Sequence, residues 1–393
     1  MKKIGIIIPD FAEGGMPKIA STLIEYLQAY FTIDLILLNR DKEIRYPTSS
    51  ANLIRVTSLG TNFFSKIIVY FNRIYIVRRI VKNNQYNAVI GFGVAANILA
   101  ILCRKHTRVI GTEHNIKSIE NKKWGIAGKI FNVLMRHLYP KADLIVAISE
   151  GMKVDLIENY GLPKEKIIVI NNPHNLEKIK QNGNYNGAKN KLDNGVINFV
   201  TIGRLTDVKN QLLQIRAVQM LSKNNKVNLH IFGEGVLEKD LKNYVGEQRL
   251  EETVHFHGFV KNPYPYLKEA DAFLLTSLNE GFPNALIESL CLDTPVITAD
   301  CVSGPREIVD PAESIDYKDM IDSFTIKNNG ILTKRLTRTY ESGELNDSEL
   351  DFYNALVYFL ENKTMISEIS ESVNRFDSNI IGEEYKKQIN RIC

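Results

Sequence analysis

No acidic residue occurs between Arg45 and Thr112, a stretch that carries Arg55, Lys66, Arg73, Arg78, Arg79, Lys82, Arg104, Lys105 and Arg108. Charge this one-sided points to an anionic partner, with a membrane surface and nucleic acid as the candidates. Cysteine is equally sparse. Cys103, Cys291, Cys301 and Cys393 show no C-x-x-C spacing, which argues against zinc and against a disulfide framework. Among the seven histidines only His255 and His257 stand close together, in and just after one strand-like run. No run of eighteen apolar residues exists, so no transmembrane helix is expected. Met-Lys-Lys leads directly into an apolar strand with no signal-peptide pattern, so a reducing cytoplasm is expected.

What remains is the composition of a globular protein: 44% apolar and 24% charged residues. At 393 residues the chain exceeds one ordinary core, and two domains are expected. Residues 1–172 hold 24 Lys and Arg against 13 Asp and Glu, a net +11, so the remainder carries −7 of the overall +4. Apolar runs at 4–8, 33–38, 88–90, 108–111, 144–148 and 167–170 alternate with helical patterns at 17–30, 64–82, 94–103, 126–138 and 150–160. Strands that are apolar throughout and separated by helices predict a parallel sheet covered on both faces. The polar stretch 177–194 then reads as a linker and surface segment. A fresh α/β pattern follows, with strands at 196–202, 227–232, 254–256, 272–276, 295–298 and 330–332. The expected organisation is a first domain 1–172, a linker 173–194, a second domain 195–375, and a helix in 376–393 packing back on the first domain.

The chemistry concentrates at the carboxyl ends of these strands, where open α/β sheets bind ligands. Strand one runs into Gly14-Gly15-Met16-Pro17, which permits close approach of backbone to a phosphate or sugar but is not G-x-G-x-x-G. The fourth strand ends in Thr112-Glu113-His114-Asn115. In the second half, Arg204 and Lys209 straddle the first strand-to-helix turn, between Gly203 and Asn210, and two such cations would neutralise a diphosphate. Gly233-Glu234-Gly235 and His257-Gly258 end the next two strands. Glu280 and Glu288 bracket Gly281-Phe282-Pro283-Asn284, a turn that leaves backbone N–H groups at a helix start. Carboxylates accept from hydroxyls and a helix start attracts anions, so this stretch suits a nucleotide sugar. Ser303 is expected to cap the helix opened by Pro305.

Two segments of the first half, 64–82 and 117–141, mix aromatic and aliphatic residues with Lys66, Arg73, Arg78, Arg79, Lys122, Lys123 and Trp124. Basic amphipathic helices favour a membrane interface, at roughly 1 kcal/mol per basic residue near anionic lipid. The alternative is two sheet-packing helices with solvated outer faces; the missing acids favour the membrane.

In this order and spacing, Glu280-x7-Glu288 with Gly281-Phe282-Pro283 between, Gly203-Arg204 with Lys209-Asn210, Gly233-Glu234-Gly235 and His257-Gly258 resemble the family-4 glycosyltransferases of the GT-B fold, over nearly the whole chain. The resemblance implies an α/β architecture of two Rossmann-like, doubly wound domains facing a cleft. It implies a retaining, metal-independent transfer with no cofactor, in which Arg204 and Lys209 hold the donor diphosphate and Glu288 the ribose. Glu280 and the backbone of Phe282, Pro283 and Asn284 would face the donor sugar, Gly15 would close on the diphosphate, and His114 matches an active-site histidine. No Asp-x-Asp metal motif is present. Members of the family commonly continue Gly-Gly-Ala-Glu-Arg, whereas Met16-Pro17-Lys18 stands here, so acceptor contacts from this loop are not carried over. Ser303-Gly304-Pro305-Arg306-Glu307 resembles bacterial members that extend lipid-diphosphate-linked glycans, several with N-acetylhexosamine donors. The expectation is transfer from a UDP-sugar to a polyprenyl-diphosphate-linked glycan, peripherally on the inner face of the cell membrane. The competing functions are a nucleotide-sugar epimerase or phosphorylase of the same fold, and a non-enzymatic membrane- or RNA-binding module. RNA is disfavoured because the aromatics belong to helices rather than to a sheet platform.

Overall fold

The computed structural model describes the chain except residues 13, 58–62, 185–191, 194, 311–320, 341–342 and 363–370, and except the side chains of residues 63–67. It divides into two compact units, Met1–His174 with Phe376–Cys393, and Asn175–Arg375.

The first unit is built on strands β1 (Lys2–Ile8), β2 (Phe31–Asn39), β3 (Asn52–Thr57), β4 (Ala88–Phe92), β5 (Arg108–Glu113), β6 (Leu144–Ala147) and β7 (Ile167–Val169). They form one parallel sheet in the order β3-β2-β1-β4-β5-β6-β7. Ile4, Ile6, Ile7 and Ile8 of β1 are all buried, as a strand covered on both faces requires. The order reverses between β1 and β4, so the ends of β1, β4 and β5 frame the crevice at which such sheets take ligands.

The second unit repeats the plan with β8 (Ile197–Ile202), β9 (Val227–Phe232), β10 (Val254–Gly258), β11 (Ala272–Leu275), β12 (Val296–Ala299), β13 (Thr325–Lys327) and β14 (Gly330–Thr333). The order is β10-β9-β8-β11-β12-β14-β13, parallel except for the antiparallel β13. Here the reversal lies between β8 and β11.

Three features depart from expectation. β3 and β13 were not anticipated: both are edge strands, and exposed Asn52, Leu53, Arg55 and Ile326 break the apolar run that marks a buried strand. The segment expected as linker contains helix Leu176–Gly183. The Asn175 side chain caps it by accepting from the Lys178 N–H at 2.9 Å, and Leu176 and Ile179 are buried, an apolar pair hidden in a polar composition. Finally Ser303 does not cap helix Pro305–Val309; its N-cap is Gly304 at φ 91°.

The C-terminal helix Ser378–Ile392, capped by Asp377, packs on helix Gly15–Leu27 of the first unit. Ile381, Tyr385 and Ile389 join the core there.

Candidate functional site

In the second unit the loops after β8, β11 and β12 are tied into one cluster. The Thr276 hydroxyl, just past β11, donates to the carbonyls of Lys209 (3.1 Å) and Asn210 (3.0 Å) and accepts from Gln214 Nε2 at 2.9 Å. The Leu278 N–H donates to Val208 O at 2.8 Å. These bonds bring Glu280 to Lys209, and the two charged ends pair directly. Arg204 is exposed, and its side chain has no partner among the described residues. The loop after β12 locks onto the same turn: Ser303 Oγ donates to Gly281 O at 2.9 Å and the Cys301 thiol to Ser277 O at 2.9 Å. A Cβ on Gly304 would lie 2.7 Å from the Pro283 ring and 3.0 Å from Gly281 O. Only a glycine lets these loops meet.

The Phe282 side chain is buried and anchors this turn. Helix Asn284–Cys291 starts after Pro283, which supplies no side-chain cap. Glu288 lies in its second turn, 6% exposed. The arrangement offers cations, a carboxylate and an uncapped helix start at one sheet edge. That is the equipment for an anion bearing hydroxyls.

Two residues expected at the donor also carry structural contacts. Asn210 takes φ 52° and is buried; its Nδ2 donates to Thr339 Oγ1 at 3.1 Å and its Oδ1 accepts from the Thr339 N–H at 3.1 Å. That side chain fastens the loop 337–339. Gly233 is required by packing: a Cβ there would sit 2.1 Å from Gly203 O.

In the first unit the strand ends form a second cluster. His114 follows β5 immediately, its ring stacked on Phe92 with centroids 5.3 Å apart and 16° between planes. Its Nε2 is 2.9 Å from Thr112 Oγ1. Beneath it Glu113 is fully buried and ion-paired to Lys117 at 3.0 Å; it also accepts from Asn97 Nδ2 at 2.8 Å and from the Tyr139 hydroxyl. Burial raises the Glu113 carboxyl pKa against the opposing pull of Lys117. Burial and then the Lys117 charge push His114 down to about 3, so the ring is neutral near pH 7. Gly15 opens the helix after β1 and is exposed. Sequence reading did not assign Asn97, Lys117 or Tyr139. The one available signal was Lys117 four residues after an acid at a strand end.

The expected basic face divides. Arg73 is half-buried and spent on the sheet, with bonds to Thr57 Oγ1 (2.9 Å), Leu38 O (2.9 Å) and Asn39 Oδ1 (2.7 Å), so it is corrected to a structural residue. Arg78 is exposed but donates to Leu102 O at 3.1 Å, and Arg79, Lys122 and Lys123 are exposed. The Lys66 side chain lies outside the described residues. Trp124 is 45% exposed, and Ile126, Ile130 and Val133 of helix Gly125–Leu138 are 79%, 55% and 56% exposed. On helix Phe63–Asn84, Ile68, Phe71 and Tyr75 also face solvent. Both helices pack on Val94–Leu102.

Family models match both halves: Glycosyltransferase Family 4 over residues 13–178 and Glycosyl transferases group 1 over residues 186–334. The chain is 31% identical over 312 residues to the Campylobacter jejuni N-acetylgalactosamine-N,N'-diacetylbacillosaminyl-diphospho-undecaprenol 4-alpha-N-acetylgalactosaminyltransferase, covering 78% of this chain and 83% of that protein. It is 27% identical to the lipopolysaccharide 1,6-galactosyltransferase of Escherichia coli, covering 58% and 63%. Among solved structures, the lipopolysaccharide outer core galactosyltransferase WaaB matches over the full length of both chains with TM-score 0.72 at 19% identity. Anabaena HepE in complex with UDP and glucose matches with TM-score 0.72 at 16% identity, covering 99% of this chain and 100% of that one. At those identities the structural matches carry the fold alone.

Proposed function

The chain belongs to the glycosyltransferases of the GT-B fold that join a family 4 first half to a group 1 second half, and from that premise we propose that it moves an N-acetylhexosamine or hexose from a UDP-sugar to a hydroxyl of a polyprenyl-diphosphate-linked glycan. The observation that carries the donor side is the cluster of Arg204, Lys209, Glu280 and the uncapped start of helix Asn284–Cys291. Arg204 and Lys209 offset the negative charge that builds on the diphosphate as its bond to the sugar breaks, so a divalent ion is not required there. In this reading Lys209 is held by Glu280 until the diphosphate arrives and competes for it. Glu280 then accepts from the donor sugar's hydroxyls, and Glu288 takes the ribose. By the family resemblance we assign His114 a role toward the donor sugar and Gly15 one toward the diphosphate. The transfer retains anomeric configuration with no enzyme nucleophile assigned. The acceptor class is supported by the Campylobacter relative, whose own acceptor is an undecaprenyl-diphosphate-linked saccharide.

The test is incubation with UDP-N-acetylgalactosamine, UDP-N-acetylglucosamine, UDP-galactose and UDP-glucose, with and without a polyprenyl-diphosphate-linked oligosaccharide, in EDTA. The expected result is UDP release that requires acceptor, adds one sugar to it, and collapses in Glu280→Gln. Interconversion of sugars without acceptor would favour an epimerase and overturn the proposal. Full turnover in Glu280→Gln would remove that residue from the mechanism.

A lipid-linked acceptor also accounts for the outward stripes of the first unit. No helix among the described residues is long and apolar enough to cross a membrane. We propose that Trp124, Ile126, Ile130 and Val133 enter an anionic bilayer surface, with Lys122, Lys123 and Lys129 beside them contributing the electrostatic attraction.

A further inference from the structure

The ring of His114 has two nitrogens, and its surroundings decide which one carries the proton. Thr112 Oγ1 lies 2.8 Å from Gly91 O and 2.9 Å from His114 Nε2. A carbonyl oxygen only accepts, so the single hydroxyl proton of Thr112 must point at Gly91 O. The same oxygen can then only accept from the ring. His114 Nε2 therefore bears hydrogen, and Nδ1 is left with its lone pair and no hydrogen bond among the described residues.

The threonine is itself held. Asn97 Nδ2 donates to Thr112 O at 2.9 Å, and Asn97 Oδ1 accepts from the Thr112 N–H at 3.1 Å, so one buried amide grips both backbone groups. That amide fits only because β4 and β5 are bare beneath it. A Cβ on Gly91 would fall 2.5 Å from Asn97 Oδ1, and one on Gly111 would fall 3.2 Å from Asn97 Cγ. Stacking on Phe92 sets the ring plane. The low pKa of the buried ring keeps it uncharged at working pH, so the tautomer and not the charge is what remains to be chosen.

We infer that Thr112 is a positioning residue: its hydroxyl, anchored on Gly91 O and held by Asn97, fixes His114 as the Nε2–H tautomer and presents Nδ1 as an acceptor. This rests on the placing of His114 at the transfer site. An acceptor nitrogen receives a hydroxyl and repels an anionic oxygen, so Nδ1 is suited to a sugar hydroxyl and not to the donor phosphates.

The tautomer can be read directly from the ring nitrogen shifts of His114 by NMR on the full chain labelled at histidine. Wild type is expected to show a protonated Nε2 and a bare Nδ1, retained in Thr112→Ser and lost to a mixture in Thr112→Val. Turnover should fall by at least about tenfold in kcat in Thr112→Val, with donor KM little changed, and recover in Thr112→Ser. A wild-type ring protonated on Nδ1, or a Thr112→Val spectrum identical to wild type, would overturn the inference. The wild-type spectrum decides even if Thr112→Val does not fold. A tautomer lost in Thr112→Val with undiminished turnover would instead remove His114 from the transfer and leave the threonine's hold on the ring standing.

Discussion

Arg204 and Lys209 lie five residues apart in one loop, yet only the second is already neutralised by a neighbour, Glu280. Arg204→Ala therefore removes a cation without disturbing packing. Steady-state assays should show a loss of about 10²–10³ in kcat, while a thermal scan of the variant overlays wild type. Arg306 is the opposite case. It forms a two-pronged pair with Asp300, bonding at 3.1 Å through Nε and again through its terminal nitrogen, and Asp300 is 1% exposed. Arg306→Met removes the nearer cation from a buried carboxylate, leaving Arg335 at 3.9 Å, and should cost about 3 kcal/mol in urea unfolding. Sequence reading singled out both arginines for their motifs but could not separate their roles. A guanidinium that reaches solvent and one that clamps a strand end look alike until the chain has turned back on itself. Asn210 shows the same limit: its neighbours in sequence suggest a ligand, and its neighbours in space are Thr337 and Thr339.

At the scale of elements, buried strands were legible because an apolar run of four to seven residues has few other uses. Edge strands β3 and β13 were not, since exposed residues interrupt their apolar runs. Edge strand β10 and its neighbour β9 carry three histidines in contact. His230 Nδ1 lies 3.0 Å from His257 Nε2, and its ring stacks on His255 with centroids 4.9 Å apart. Burial and then the neighbouring histidines push His230 down to about 4, and burial likewise lowers His257. Unfolded, both titrate near about 6.5, so below that pH the unfolded chain binds more protons. Their stabilisation is intact above about pH 6.5 and is lost as pH falls toward the folded values. Urea midpoints should decline between pH 7 and pH 5, and decline less steeply in His230→Gln. The stripe on helix Gly125–Leu138 yields a different prediction, because it is exposed. Ile126→Glu with Ile130→Glu should lower binding to vesicles containing anionic lipid by about tenfold or more and leave the melting temperature unchanged. Equal binding by the double variant in flotation assays would remove this helix from the membrane contact.

At the scale of the whole molecule, the first unit is discontinuous: its core is completed by the last helix of the chain, after the second unit has been built. His174 and Phe376 meet there, the His174 N–H donating to Phe376 O at 2.9 Å and the Ser378 N–H to His174 O at 2.8 Å. Gly382 sits against Tyr26, where an added Cβ would fall 2.2 Å from the ring. Gly382→Leu should therefore destabilise the first unit by about 1–3 kcal/mol or more through overpacking. UDP affinity measured by calorimetry should fall far less than in Arg204→Ala, because Arg204, Lys209 and Glu288 lie in Asn175–Arg375 and the first unit is assigned only Gly15 at the diphosphate. The two α/β repeats, the strand-end location of the chemistry and the residue types gathered there are legible in the linear chain. Periodicity and short motifs are local properties, carried by neighbours along the chain. Which charges are already paired, which glycines serve packing, and which nitrogen of His114 bears its proton are set by contacts made on folding. Those depend on groups such as Gly91 and Thr112, which are 21 residues apart and meet only when β4 and β5 lie side by side.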